Sequence, residues 1–170
     1  MKKLLCTVLI LTFLIGLSAC SPNPYRGTDA LLQKARQELP LADAKTIDLT
    51  YAGMCGAGDT AIAWFIAGNA YQARYYLPLE VEVKPGRAEY VYLHTHKPLT
   101  DRAQDVAIVI LSQGYAFLIH NPAITSVKMT MPGGEIYEET IPTDDLPYAF
   151  FVPFAPEEYS FLDAQGNVVP

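Results

Sequence analysis

The sharpest chemical feature of this 170-residue sequence is Leu93-His94-Thr95-His96. Side chains two apart on a strand share a face, so His94 and His96 should point together, beside Tyr90 and Tyr92 and within reach of one metal ion. A zinc site needs a third ligand, which the fold would have to bring from His120 or Asp59. Against it stands a plainer arrangement, with Val91, Leu93 and Thr95 facing the core and the histidines decorating the outside. No metal and no other cofactor is therefore assigned. The tyrosines offer a different chemistry. Tyr71, Tyr75, Tyr76, Tyr90, Tyr92, Tyr137, Tyr148 and Tyr159 are flat, amphipathic groups of the kind that anchor interfaces or stack on sugars. Of these, Tyr75, Tyr90 and Tyr92 are the expected ligand-binding residues, for a protein or a glycan. They are also good strand formers, and an outward tyrosine on a sheet is ordinary. Glu138-Glu139, Asp144-Asp145 and Glu157-Glu158 lack the alternating spacing of a calcium loop and read as solvent-facing pairs at turns.

Cys55 lies in Gly53-Met54-Cys55-Gly56-Ala57-Gly58-Asp59, which reads as a glycine-rich loop. A thiol there resembles a nucleophile elbow, but an elbow joins a strand to a helix, and the residues after Asp59 read as a strand. The same glycines lack the Lys-Ser/Thr pair and the following helix of a phosphate-binding loop. No complete set of nucleophile, base and orienting group can be assembled, so catalytic residues are not assigned.

The elements that must carry these groups are mostly strands. Thr28 is placed to cap a helix running to about Leu39, with Leu31, Leu32, Ala35 and Leu39 at helical spacing and Pro40 ending it. Beyond it the apolar period changes to two. Strands are expected around Ile47 to Tyr51, Ala61 to Ala67, Arg74 to Val83, Tyr90 to Thr95, Val106 to Leu111, Tyr115 to Ile119, Ile124 to Met131, Glu135 to Ile141, Tyr148 to Phe154 and Tyr159 to Leu162. The continuous apolar run Ala61 to Ala67 suits a strand covered on both faces, and Pro78 suggests an edge position or a bulge. Ser112-Gln113-Gly114, Pro132-Gly133-Gly134 and Ala164-Gln165-Gly166-Asn167 are turns, and Gly68-Asn69 is another. One N-terminal helix and many short antiparallel strands predict a mainly β fold, an antiparallel sandwich or partly open barrel.

Met1 to Cys20 decides where such a domain works. Lys2 and Lys3 precede an apolar run from Leu4 to Leu17, too short to span a bilayer comfortably, and Ser21-Pro22-Asn23-Pro24 breaks it. Leu17-Ser18-Ala19-Cys20 resembles the lipobox of bacterial prolipoproteins. That resemblance implies cleavage before Cys20, a diacylglyceryl thioether on its sulfur and often a further acyl chain on its new amino group. It covers the leader alone. Residues 1–19 are then a signal peptide, 20–27 a lipidated tether and 28–170 one β-rich domain. The domain would sit outside the cytoplasmic membrane, at its surface or at an outer membrane. With Cys6 removed and Cys20 acylated, Cys55 has no disulfide partner.

Without Lys2 and Lys3 the chain keeps ten basic and eighteen acidic residues, and after Lys128 it has eight acids and no Lys or Arg. A surface of that sign argues against nucleic acid and against electrostatic adhesion of the domain to anionic headgroups. The expectation is a lipid-anchored binding or interaction domain. The alternative is a small metal- or thiol-dependent hydrolase acting on envelope material through His94, His96 and Cys55.

Overall fold

Alternating apolar residues dictate most of the architecture in the computed structural model, which describes residues 24–68, 74–101 and 103–170. The leader, Cys20, Asn69 and Tyr71 lie outside the described residues. The order is β1 (Tyr25–Arg26), α1 (Gly27–Glu38), β2 (Leu49–Ala57), β3 (Thr60–Ala67), β4 (Tyr75–Val83), β5 (Glu89–Thr95), β6 (Leu99–Asp101), β7 (Val106–Leu111), β8 (Gly114–Ile119), β9 (Ser126–Thr130), β10 (Ile136–Thr140), β11 (Tyr148–Val152) and β12 (Glu158–Leu162). The fold is mainly β and antiparallel, with one N-terminal helix, as the alternation predicts. Three sheets form: a curled half-barrel, sheet A, ordered β1-β5-β4-β3-β2; sheet B, ordered β11-β8-β7-β6; and sheet C, ordered β10-β9-β12.

Strand parity stacks these sheets into layers. On β3, Ala61, Ala63, Phe65 and Ala67 face a cluster with Leu31, Ala35 and Leu39 of the helix and its C-terminal flank, whereas Ile62, Trp64 and Ile66 face sheet B. Sheet B meets those large side chains with Ala107, Val109, Ala116 and Leu118, mostly small. Its other face carries Val106, Ile108, Phe117 and Ile119 into a third cluster with Val127, Met129 and Phe161 of sheet C. The sequence of layers is therefore helix, sheet A, sheet B, sheet C. Large residues of one layer oppose mostly small residues of the next, which lets the two faces pack closely, as dense interiors require.

Several local expectations change. Thr28 is not the helix cap: the chain enters from β1, Gly27 turns it at φ 72°, and Thr28 is already helical. The Gly27 N–H is satisfied instead by the Ala88 carbonyl at 2.8 Å. Gly53 to Ala57 are not loop but strand. Gly53 adopts φ 113° at a bulge between Tyr51 and Gly53, and a Cβ there would stand 3.2 Å from the Ala149 side chain. Only Gly58 and Asp59 make the turn. Pro78 lies on an interior strand, not an edge. Its carbonyl accepts from the His96 N–H at 3.1 Å, and the β5 pairing stops at Leu79–Thr95, so its missing N–H faces the side where the ladder has ended. A bulge does follow two residues on, between Glu80 and Val81. Among the described residues, no helix is long and apolar enough to cross a membrane.

Candidate functional site

The bulge in β5 decides where the predicted site residues go. Tyr92 pairs with Val81 and His94 with Glu80, leaving Leu93 as the extra residue. An added residue breaks the two-residue alternation. Tyr92 and Thr95, three apart, consequently reach one carboxylate: the Tyr92 hydroxyl donates to Glu38 Oε2 at 3.1 Å and the Thr95 hydroxyl at 3.0 Å. Lys34 pairs with Glu38 and lies 4.0 Å above the Tyr92 ring centre. His94 and His96 are on the opposite side of that bulge from Tyr90 and Tyr92, correcting the shared face expected of them. Leu93 is exposed rather than core.

The two histidines do meet, with ring centres 4.9 Å apart and planes at 90°. His96 Nε2 is bonded to Glu80 Oε2 at 2.7 Å. His120 lies instead beside Asp105, and Asp59 caps the β2–β3 turn, where its carbonyl accepts from Val83. Among the described residues no three His, Cys, Asp or Glu side chains converge as a metal would require. Cys55 sits on β2 opposite Ile62, packed at the edge of the cluster between sheets A and B. Burial pushes its thiol up to about 12, weakly opposed by the facing Trp64 indole N–H. That contact falls short of a formed hydrogen bond, since Trp64 Nε1 is buried without a partner among the described residues. A thiol so held is a poor nucleophile at neutral pH.

The three predicted tyrosines are not brought together. Tyr90 pairs with Val83 at one end of β4 and Tyr75 with Ala67 at the other, about 26 Å away at strand rise. All three pack their rings against the helix-side core. Tyr75 alone of them also lines a recess of about 150 Å³, with Arg74, Tyr76, Lys97, Pro98 and Thr100.

That recess has a polar backing which sequence reading missed. Arg74 is ion-paired with Asp105, and the Tyr76 hydroxyl donates to Asp105 Oδ1 at 2.7 Å. Asp105 holds φ 54°, the one positive value outside glycine among the described residues. Strained aspartates of this kind persist where surrounding contacts over-determine them. Burial and the Asp105 carboxylate raise the Tyr76 hydroxyl well above the usual phenol range. The His120 N–H donates to the Asp105 carbonyl at 3.0 Å, while its ring Nδ1 is buried with no partner among the described residues. Burial, assisted by the Arg74 cation, lowers the His120 pKa, so the ring is neutral near pH 7. The recess thus offers two cations, one already half-neutralised, a hydroxyl and an aromatic wall. Comparison with protein-family models, curated proteins and solved structures finds no match.

Proposed function

We propose that this chain is a lipid-anchored, extracytoplasmic binding domain, held through Cys20 and engaging an acidic group of a protein or glycan at the recess between sheets A and B. The anchor rests on Leu17-Ser18-Ala19-Cys20 at the end of a charged-then-apolar leader. The observation that carries the binding site is the meeting of Arg74, Lys97 and Tyr75 at one recess, backed by the Asp105 network. Among the described residues Lys97 makes no ion pair, so it adds its charge to that of Arg74, whose guanidinium can hold a carboxylate, and Tyr75 supplies the flat wall on which a ring stacks. A recess of about 150 Å³ takes the end of a ligand, not a whole drug-sized molecule. Burial of the Cys55 thiol works against the thiol-dependent hydrolase.

Intact-mass measurement of the membrane-extracted protein should give a species beginning at Cys20 with a diacylglyceryl and a further acyl chain. A species starting elsewhere and released to the medium would overturn the anchor. For the recess, full-length protein is titrated with acidic peptides and with uronic acid oligosaccharides while its melting is followed. A raised midpoint that Lys97→Gln abolishes supports the site; no shift with either probe removes it.

A further inference from the structure

The pairing of β7 with β8 runs one step past the strands themselves. Val106 faces Ile119, and beyond them the His120 N–H donates to the Asp105 carbonyl at 3.0 Å. One step the other way, the paired Ala107 and Leu118 point into the cluster between sheets A and B. Asp105 and His120 lie two residues along from that pair, so their side chains stand opposite each other and face the same junction. Tyr76, which reaches the Asp105 carboxylate from β4, belongs to that cluster too.

The His120 ring lacks a partner there. Its Nδ1 is buried without a hydrogen bond among the described residues. A neutral ring can leave that nitrogen bare, whereas an imidazolium carries N–H on both nitrogens and would bury a donor with no acceptor. Burial first, and then the Arg74 cation, keeps the proton off, while Asp105 pulls the other way. Tyr148, beside Ile119 on β11, turns its hydroxyl to Glu139 of sheet C instead.

An anion in the recess alters this balance. Arg74 both lines the recess and pairs with Asp105, so a carboxylate drawn to Arg74 and Lys97 offsets charge that opposes protonation of His120. Asp105 can then hold the added proton. It accepts from Arg74 and from Tyr76, and a carboxylate has room for about four such bonds.

We infer that His120 couples the recess to solvent protons: an acidic ligand binds there with uptake of a proton by this ring, and binds more tightly as pH falls. This rests on the recess reading proposed above. Coupling between two sites is reciprocal, so a ligand that favours the proton is favoured by it to the same degree. Both effects of the proton share one sign. The imidazolium adds a cation behind the recess, and it competes with Arg74 for Asp105, freeing the guanidinium for the ligand.

Full-length protein is titrated at pH 5.5 and 7.5 with a uronic acid oligosaccharide and with an acidic peptide, whose carboxylates stay mostly ionised over that range. Binding should be about fivefold tighter at pH 5.5, the lower end of coupling between sites. In His120→Asn the two affinities should agree. The chain has three histidines, so proton magnetic resonance follows the His120 ring directly, with His94→Asn and His96→Asn identifying the other two signals even where His120→Asn fails to fold. Saturating ligand should raise the titration midpoint of the His120 signal. Equal affinities at the two pH values, an unmoved His120 midpoint, or a ratio that survives in folded His120→Asn overturns the inference and leaves the recess standing. Failure of both probes to bind at either pH removes the recess and the inference together.

Discussion

Glu38 shows how much one side chain can organise. It ends the helix, pairs with Lys34 four residues back, and accepts from Tyr92 and Thr95 of β5, so it ties helix to sheet. Its carboxyl is held below the ordinary range, chiefly by the Lys34 bond and then by those from Thr95 and Tyr92, against the cost of burial. A depressed carboxylate contributes stability that is complete above the unfolded value near 4.5 and is lost as pH falls through the lower folded value. Glu38→Gln should therefore cost about 1 kcal/mol at pH 7, allowing for screening at a partly exposed pair. As pH falls from 4.5 through the lower folded value the two proteins should converge. Urea denaturation across pH measures both, and equal midpoints at pH 7 would refute the role given to Glu38. Tyr92 and Thr95 were unreadable as partners from sequence, because their alignment depends on Leu93 being extra. Nothing in the residue types announces that.

At the scale of elements, alternation made ten strands legible, together with the helix and the antiparallel hairpins. What it missed has specific causes. β1 and β6 are two and three residues long, too short to show a period. Gly53 and Gly56 suggested a loop because glycine usually breaks strands, yet here glycine permits a bulge where β2 runs close to Ala149. The Asp105 site was hidden for another reason: Arg74, Tyr76 and His120 are scattered in sequence and meet only through sheet packing. Gly114 gives the element-scale prediction. A Cβ there would stand 2.0 Å from the Val152 carbonyl oxygen, so Gly114→Ala must prise β11 from β8. A loss of about 3 kcal/mol is expected. Gly133 also has a positive φ, 101° against 149° at Gly114, but open space around it, and Gly133→Ala should lose only about 1 kcal/mol. Equal losses in chemical denaturation would mean that backbone strain, not contact, governs Gly114.

Across the whole molecule, sheet B shares one core with sheet A and another with sheet C, so no layer can separate without exposing apolar surface. Trp64, the only tryptophan, is buried between sheets A and B and reports on that junction. Phe117 is on the other face of sheet B, stacked on Phe150 with ring centres 4.9 Å apart. Thermal unfolding followed by Trp64 fluorescence and by far-ultraviolet dichroism should coincide. Phe117→Ala, costing roughly 3 to 5 kcal/mol, should lower both together although it does not touch Trp64. Separate transitions would show that the layers melt independently.

The two-residue strand β1 has a mechanical meaning. Any tension transmitted through the residues before Tyr25 falls first on the Tyr25–Tyr90 and Arg26–Glu89 pairs and on the Gly27–Ala88 bond, and immediately behind these comes the helix. A pull on the N-terminus would therefore strip the helix from sheet A before it strained sheets B or C. Leu31 and Ala35 would come away from the apolar curve they cover, making the lid over sheet A the part of the protein most readily opened by force.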